Sequence, residues 1–317
     1  MTLSIIIPHG NEPWEVVRPC IDMLNNQKGV DFDDFHVFLV HDGSEPFPRQ
    51  CIEGPAHIDQ LFINKSGVSA ARNYGMKFAM ECTDSKWINF SDCDDCFSSV
   101  FSLHLLMHGL KQENKYDMMW SPFYMIQNGN LTKFDQFNRV FIHNKYYRTS
   151  FLKKSGIRFN ENIFMSEDSA FNTVILMHLY GTDRIGQINT TDPLYAWCRR
   201  PGSITQSPEK WMEITEGHFR RNLYVMDEYR ARGDELNEKI LTYRCITDLY
   251  AMVTRTDISG DPTHVTEIAR EYYLENAEKI QMDDPHFQLS LKYSCEEMGN
   301  PKYGVEDFRK WIETITA

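Results

Sequence analysis

Three carboxylates crowd four positions in the segment Asp92-Cys93-Asp94-Asp95, directly after the apolar run Trp87 to Phe90. Carboxylates this close repel one another unless a cation or hydrogen-bond donors neutralise them. Hard divalent ions such as Mg²⁺ or Mn²⁺ take oxygen ligands of this kind and often share them with phosphates. The same residues also suit a solvated turn that caps the next helix, so the cluster alone leaves both readings open. Cys93 and Cys96 have the C-x-x-C spacing, but two carboxylates lie inside it and no second Cys/His pair follows at zinc-finger distance. That argues against a zinc or redox site. His9, His41, His143, His178 and His218 are further metal-ligand candidates, though a lone histidine is more often structural.

The elements that must hold these residues alternate apolar runs with helical patterns in the first half, which predicts βαβ units on a mainly parallel sheet. Strands are expected at Leu3 to Pro8, Phe35 to Val40, Leu61 to Ile63 and Trp87 to Phe90, with helices from Pro13-Trp14 to about Asn26 and from Val68 to Met80. Asn11, Asp42 and Asp92 to Asp95 each follow the carboxyl end of a strand. In open α/β sheets that edge binds ligands, so one rim should gather them. Further on, Phe101 to Leu110 reads as a helix, and Asp117 to Ile126 with Leu131 to Phe134 as two strands about the turn Asn128-Gly129-Asn130. Lys145 to Lys154 and Asp168 to Leu179 read as helices, and Leu194 to Cys198 as a late strand. From about Glu209 the pattern is helical, broken at Gly233, Ser259 to Pro262, Asp284-Pro285 and Gly299 to Pro301, with a cap expected at Thr263 with Glu267. The expected organisation is therefore 1–208 as an α/β domain and 209–317 as a helical subdomain.

Several short motifs now fall in one order: Ser4 to Pro8 with Asn11, His41-Asp42-Gly43-Ser44, Gly67 to Asn73, Phe90 to Asp95, Arg158 to Asn162, Glu167 to Phe171, and Arg200 to Ile204. Over residues 3–206 this series resembles the family 2 glycosyltransferases with the GT-A fold. The resemblance implies a mixed, mainly parallel sheet flanked by helices, a nucleotide-sugar donor (a UDP-sugar first) and a divalent metal, Mn²⁺ or Mg²⁺. It implies that Pro8, Asn11 and Arg72 line the nucleotide pocket and that Asp42 reads the base edge. Asp92, Asp94 and Asp95 serve the ribose and the metal in an unranked order, with His143 as an added ligand. Arg199 or Arg200 faces the diphosphate, where a guanidinium fork suits phosphate oxygens. Asp168 is the implied base, with Glu167 second, and the transfer inverts configuration. As a purely structural alternative, both acids favour a helix N-terminus. Gly10 stands where the family has an aromatic, and His41 where a first Asp is common.

Bulk properties narrow the partners. The net charge of −12 argues against phosphate-backbone binding, so a nucleic-acid acceptor ranks below a saccharide, lipid-linked or polymer acceptor. A transferase acting on modified DNA bases and a binding protein without turnover remain the alternative readings. No apolar run approaches the roughly 20 residues of a membrane helix. The eight scattered cysteines read as reduced thiols, so a cytoplasmic location is expected, with peripheral membrane association open. Arg220-Arg221 reads as solvated surface, Trp211, Phe219 and Tyr224 as core, and the helical part as an acceptor-side or homo-oligomer element.

Overall fold

The computed structural model describes every residue except 113, 114, 201–209, 256, 258, 259 and 303, and the side chain of Gln112. The chain divides into two compact units, Met1–Arg200 and Pro201–Ala317. The motif Pro201 to Ile204 and the expected boundary at 208 lie outside the described residues.

The first unit is built on β1 (Leu3–His9), α1 (Trp14–Asn25), β2 (Phe35–Asp42), α2 (Arg49–Ile52), β3 (His57–Ile63), α3 (Val68–Cys82), β4 (Trp87–Phe90), β5 (Cys96–Phe97) and α4 (Ser102–Gln112). It continues with β6 (Met118–Trp120), β7 (Phe123–Gln127), β8 (Asn130–Phe134), β9 (Lys145–Arg148), α5 (Thr149–Ser155), α6 (Glu167–Leu179), β10 (Ile185–Gln187) and β11 (Tyr195–Arg199). Among the described residues, seven strands form the main sheet in the order β10-β6-β9-β4-β1-β2-β3. β4, β1, β2 and β3 run parallel, and β9 is antiparallel to both its neighbours. A second sheet has the order β5-β11-β7-β8.

β1 is buried along its whole length and mostly apolar because both of its faces are covered, as parallel strands require. Ile5 and Ile7 join Val17, Ile21 and Leu24 of α1 in one core. On the other face α3 comes so close that a Cβ at Gly75 would stand 2.5 Å from Ile6 Cγ2. Only glycine permits that approach, and it seats Arg72, one turn earlier, deep against the sheet.

Two expected elements differ. The single strand expected over 117–126 is two strands, β6 and β7, in different sheets. Pro122 lies between them and lacks the N–H that a continuous ladder needs. The helix expected from Lys145 begins as β9, where Tyr146 and Tyr147 favour extended backbone and fill the slot between β4 and β6, and only Thr149–Ser155 is helical. The Asn128-Gly129 turn forms with both residues at positive φ, as a two-residue hairpin requires.

The second unit holds α7 (Trp211–Ala231), α8 (Glu235–Val253), α9 (Thr263–Asn276), α10 (Pro285–Met298) and α11 (Val305–Thr316). Its core includes Phe219, Tyr243, Leu249, Tyr272, Phe287, Leu291 and Phe308. Thr263 is the first residue of α9 rather than its cap. The acceptor for its N–H is the Asp261 carboxylate, two residues earlier, at 3.0 Å. Arg220 pairs with Glu216 at the surface, whereas Arg221 turns inward and donates to Asn222. No helix among the described residues is long and apolar enough to cross a membrane.

Candidate active site

The rim is formed by the carboxyl ends of β1, β2 and β4 with the loops that follow them. β4 ends at Phe90, and the chain then turns through Asp92 to Asp95 into β5. Asp95 is only 2% exposed. Its Oδ2 accepts the Tyr195 hydroxyl at 2.8 Å and its Oδ1 accepts the Cys198 N–H at 2.7 Å. Neither donor is charged. Burial, then Asp92 and Asp94, hold the Asp95 carboxyl well above the ordinary carboxylate range. Burial and Asp92 also raise Asp94, against the opposing pull of Arg200.

The three acids therefore differ in what they face. Asp94 meets Arg200, whose Nε donates to Oδ2 at 2.7 Å, and the same guanidinium lies 3.6 Å from Glu12. Asp92 and Asp95 meet His143 instead: one ligand atom from each of the three lies within 4.8 Å of the others. His143 is 3% exposed, and its Nε2 is buried with no hydrogen-bond partner among the described residues. Tyr195 stacks on its ring at 5.2 Å and 7°. Asn144, in the left-handed region at φ 57°, turns the chain between His143 and β9. Burial, then Lys145 and Arg72, keeps this imidazole neutral by lowering its pKa well below the usual value. A neutral imidazole grouped with two carboxylates fits a divalent cation, which needs an imidazole lone pair rather than an imidazolium.

Arg72 closes the other side. Its Nη2 donates to Asp92 Oδ1 at 2.9 Å and its Nη1 to Glu167 Oε1 at 2.6 Å. Burial opposes its charge, but Asp92 and Glu167 outweigh burial and raise its pKa. Both terminal nitrogens thus point at carboxylates, and Arg72 ties the acidic cluster to the first turn of α6. Glu167 is occupied by this contact. Asp168 is held by the Ser169 N–H at 2.6 Å. Burial, then Glu167, pushes the Asp168 carboxyl up to about 7, with Arg72 opposing. Lys145, 1% exposed, donates to the Phe141 carbonyl, and burial drives its ammonium down to about 7.

The remaining expected residues lie at the β1 and β2 ends. Pro8 is buried in β1 and Asn11 is exposed just beyond it. Asp42 spends both oxygens on the loop before α3, accepting Ser66 N–H at 2.6 Å and Gly67 N–H at 2.9 Å. Arg199 donates to Gln127 at 3.2 Å and lies over the Trp197 ring. Sequence reading overlooked Tyr195 and Lys145. Tyr195, Trp197 and Arg199 alternate along one strand, a spacing that marks a common face. Lys145 stands directly before Tyr146-Tyr147 in a strand-forming segment, a cue for a buried amine.

Residues 4–174 match the profile of glycosyl transferase family 2, more than half of the chain. The chain belongs to that family. It is a glycosyltransferase of the GT-A fold. It is 26% identical over 281 residues to the uncharacterized glycosyltransferase EpsJ of Bacillus subtilis, covering 80% of this chain and 75% of EpsJ. It is also 26% identical over 288 residues to the minor teichoic acid biosynthesis protein GgaB of the same organism, covering 83% of this chain but 30% of GgaB. Among solved structures it is similar to S. aureus TarS, with a TM-score of 0.62, 16% identity, and coverage of 99% of this chain and 55% of that one. The 1–349 form of TarS, solved with UDP-GlcNAc, gives a TM-score of 0.56 at 16% identity, covering 99% of this chain and 91% of that one.

Proposed function

We propose that this family 2 glycosyltransferase moves a sugar from a UDP-sugar to a hydroxyl of a saccharide, lipid-linked or polymer acceptor, with inversion at the anomeric carbon. Asp92, Asp95 and His143 would hold Mn²⁺ or Mg²⁺, with Asp94 turned toward Arg200. When bound, the metal supplies positive charge to the leaving diphosphate. The observation that carries this reading is a ring nitrogen of the buried, neutral His143 grouped with carboxylate oxygens of Asp92 and Asp95, while Arg72 links Asp92 to Glu167, the neighbour of Asp168. The UDP-GlcNAc in the TarS structure supports a uridine donor.

The protein's own part follows from the carboxylates. Asp168 takes the proton of the acceptor hydroxyl; that oxygen bonds to the anomeric carbon while the bond to the diphosphate oxygen breaks. Burial raises the Asp168 carboxyl to about 7, where a base has both a useful ionised fraction and a driving force for proton transfer. Glu167 holds Arg72 and thereby orients the first turn of α6. Arg200 would exchange Asp94 for donor phosphate, and Arg199 stands on the same strand end. Pro8 and Asn11 border the uridine, and Asp42 supports that pocket by fixing the loop before α3. The helical unit is proposed to serve the acceptor or self-association.

The test is transfer from UDP-GlcNAc with Mn²⁺ to a panel of saccharide, lipid-linked and wall-polymer acceptors, read as UDP release and product anomer. An inverted product that requires both Asp95 and Asp168 is expected. A retained anomer, or full turnover by Asp168→Asn, overturns the reading.

A further inference from the structure

His9 and His41 sit opposite each other in the register of β1 and β2, at the strand ends that lead to Asn11 and Asp42. Both side chains are buried, and their Nδ1 atoms are 2.9 Å apart. The Gln60 amide settles the protonation of one ring. Its Nε2 donates to the Phe47 carbonyl at 3.0 Å and its Oε1 accepts the Phe47 N–H at 2.9 Å, so its orientation is fixed. Oε1 is therefore the atom 2.8 Å from His41 Nε2, and that nitrogen carries hydrogen. His9 Nε2 lies 2.9 Å from the Glu12 main-chain carbonyl, so it carries hydrogen too.

A neutral imidazole has one N–H. With both Nε2 atoms protonated, two bare lone pairs would confront each other at Nδ1. Ser44 Oγ is 2.9 Å from His9 Nδ1 and 3.3 Å from His41 Nδ1, but one hydroxyl hydrogen cannot serve both nitrogens. A proton between the rings removes the conflict and forms a charge-assisted hydrogen bond.

We propose that His9 and His41 share one additional proton between their Nδ1 atoms and act as a positioning clamp that holds the β1 and β2 ends in the donor-binding arrangement. The role in donor binding rests on the uridine-site reading above. Burial lowers the His41 imidazolium to about 4, so His41 Nδ1 takes the accepting side of the shared hydrogen bond. The charged groups around the pair are Glu12 in the β1–α1 loop, Asp42 ending β2, and Lys65, whose Cβ would crowd a side chain at Gly43. Arg200 reaches the pair's surroundings only through Glu12. Among the described residues, no charged side chain hydrogen-bonds either ring; Phe47 and Phe62 pack on them. Because the clamp is made by protonation, it is present on the acid side and lost as pH rises.

Two measurements test it. In ¹⁵N-histidine-labelled protein without donor, NMR should show hydrogen on both Nε2 atoms and a proton coupled to both Nδ1 atoms. Two unprotonated Nδ1 signals at neutral pH overturn the clamp. UDP binding, titrated calorimetrically across the histidine range, should weaken about tenfold toward alkaline pH relative to His41→Asn. The asparagine amide can donate or accept at the Nδ1 position at any pH, so this variant should flatten the profile. The ionisation of UDP itself is common to both proteins and cancels. Matching slopes with the coupled proton present overturn the positioning role. Absence of UDP binding at every pH overturns the donor-site reading, and the positioning role with it, which a matched slope does not do.

Discussion

Two buried aspartates show what this enzyme does with charge. Asp248 in the helical unit is 4% exposed and Asp95 at the sheet rim is 2% exposed. Asp248 is neutralised at home: Arg244 Nε lies 3.0 Å away, Asn222 donates at 2.8 Å and Ser294 at 2.6 Å. Among the described residues, Asp95 receives only a tyrosine hydroxyl and a main-chain N–H, and it stands beside two more carboxylates. Leaving buried charge without a counter-ion costs stability, so an element that keeps it is shaped for something that arrives from outside. The helical unit's charge is structural and complete. At the rim, the proposed cation would supply the counter-charge that Asp95 lacks.

The largest effect that would break this contrast is at the proposed base. Asp168→Asn should lower kcat by about 10²–10⁴-fold in a transfer assay. The same change should raise Tm above neutral pH. The folded Asp168 takes up its proton more readily than the ordinary carboxylate of about 3.9, so stability is greatest on the acid side. It is lost as pH rises through about 7, and removing the charge removes that loss. Next, Asp95→Asn should weaken the apparent Mn²⁺ affinity at least about tenfold in a metal titration, while raising Tm in chelator by relieving the like charges. A lower Tm in chelator would mean that Asp95 is structural after all, like Asp248.

Asp248→Ala should do the opposite, costing about 1–3 kcal/mol in denaturant unfolding while UDP and Mn²⁺ titrations stay unchanged. Gly75→Ala should cost about 1–3 kcal/mol, because the added methyl group collides with Ile6 and pushes α3, with Arg72, off the sheet. The smallest effect is on pH dependence. kcat/KM should rise with pH and level off near 7, since the base must be ionised to work. A level profile across that range would remove Asp168 from the role.

Much of the rim was legible beforehand, because parallel strands buried on both faces write themselves as apolar runs, and Asn11, Asp42 and Asp92 follow those runs directly. The errors fell where tertiary pairing overrides local pattern. Pro122 was visible, but only the two sheets show why the chain needs a break there. Tyr146 and Tyr147 sit in a segment that also scans as a helix, and β9 exists because β4 and β6 offer it an open slot.

The sequence by itself determined the family, the order of the strands that carry the motifs, and the presence of a carboxylate cluster with an acidic pair further on. Tertiary structure alone decided the division of labour. It set Asp94 against Arg200 and Asp92 with Asp95 against a buried imidazole, and it occupied Glu167 with Arg72. It also brought His9 and His41 nitrogen to nitrogen. The physical reason is that residue type sets what a group can donate, accept or carry, whereas burial and partners set which of those states is stable. Neither can be read along the chain when the partners lie 30 to 100 positions apart.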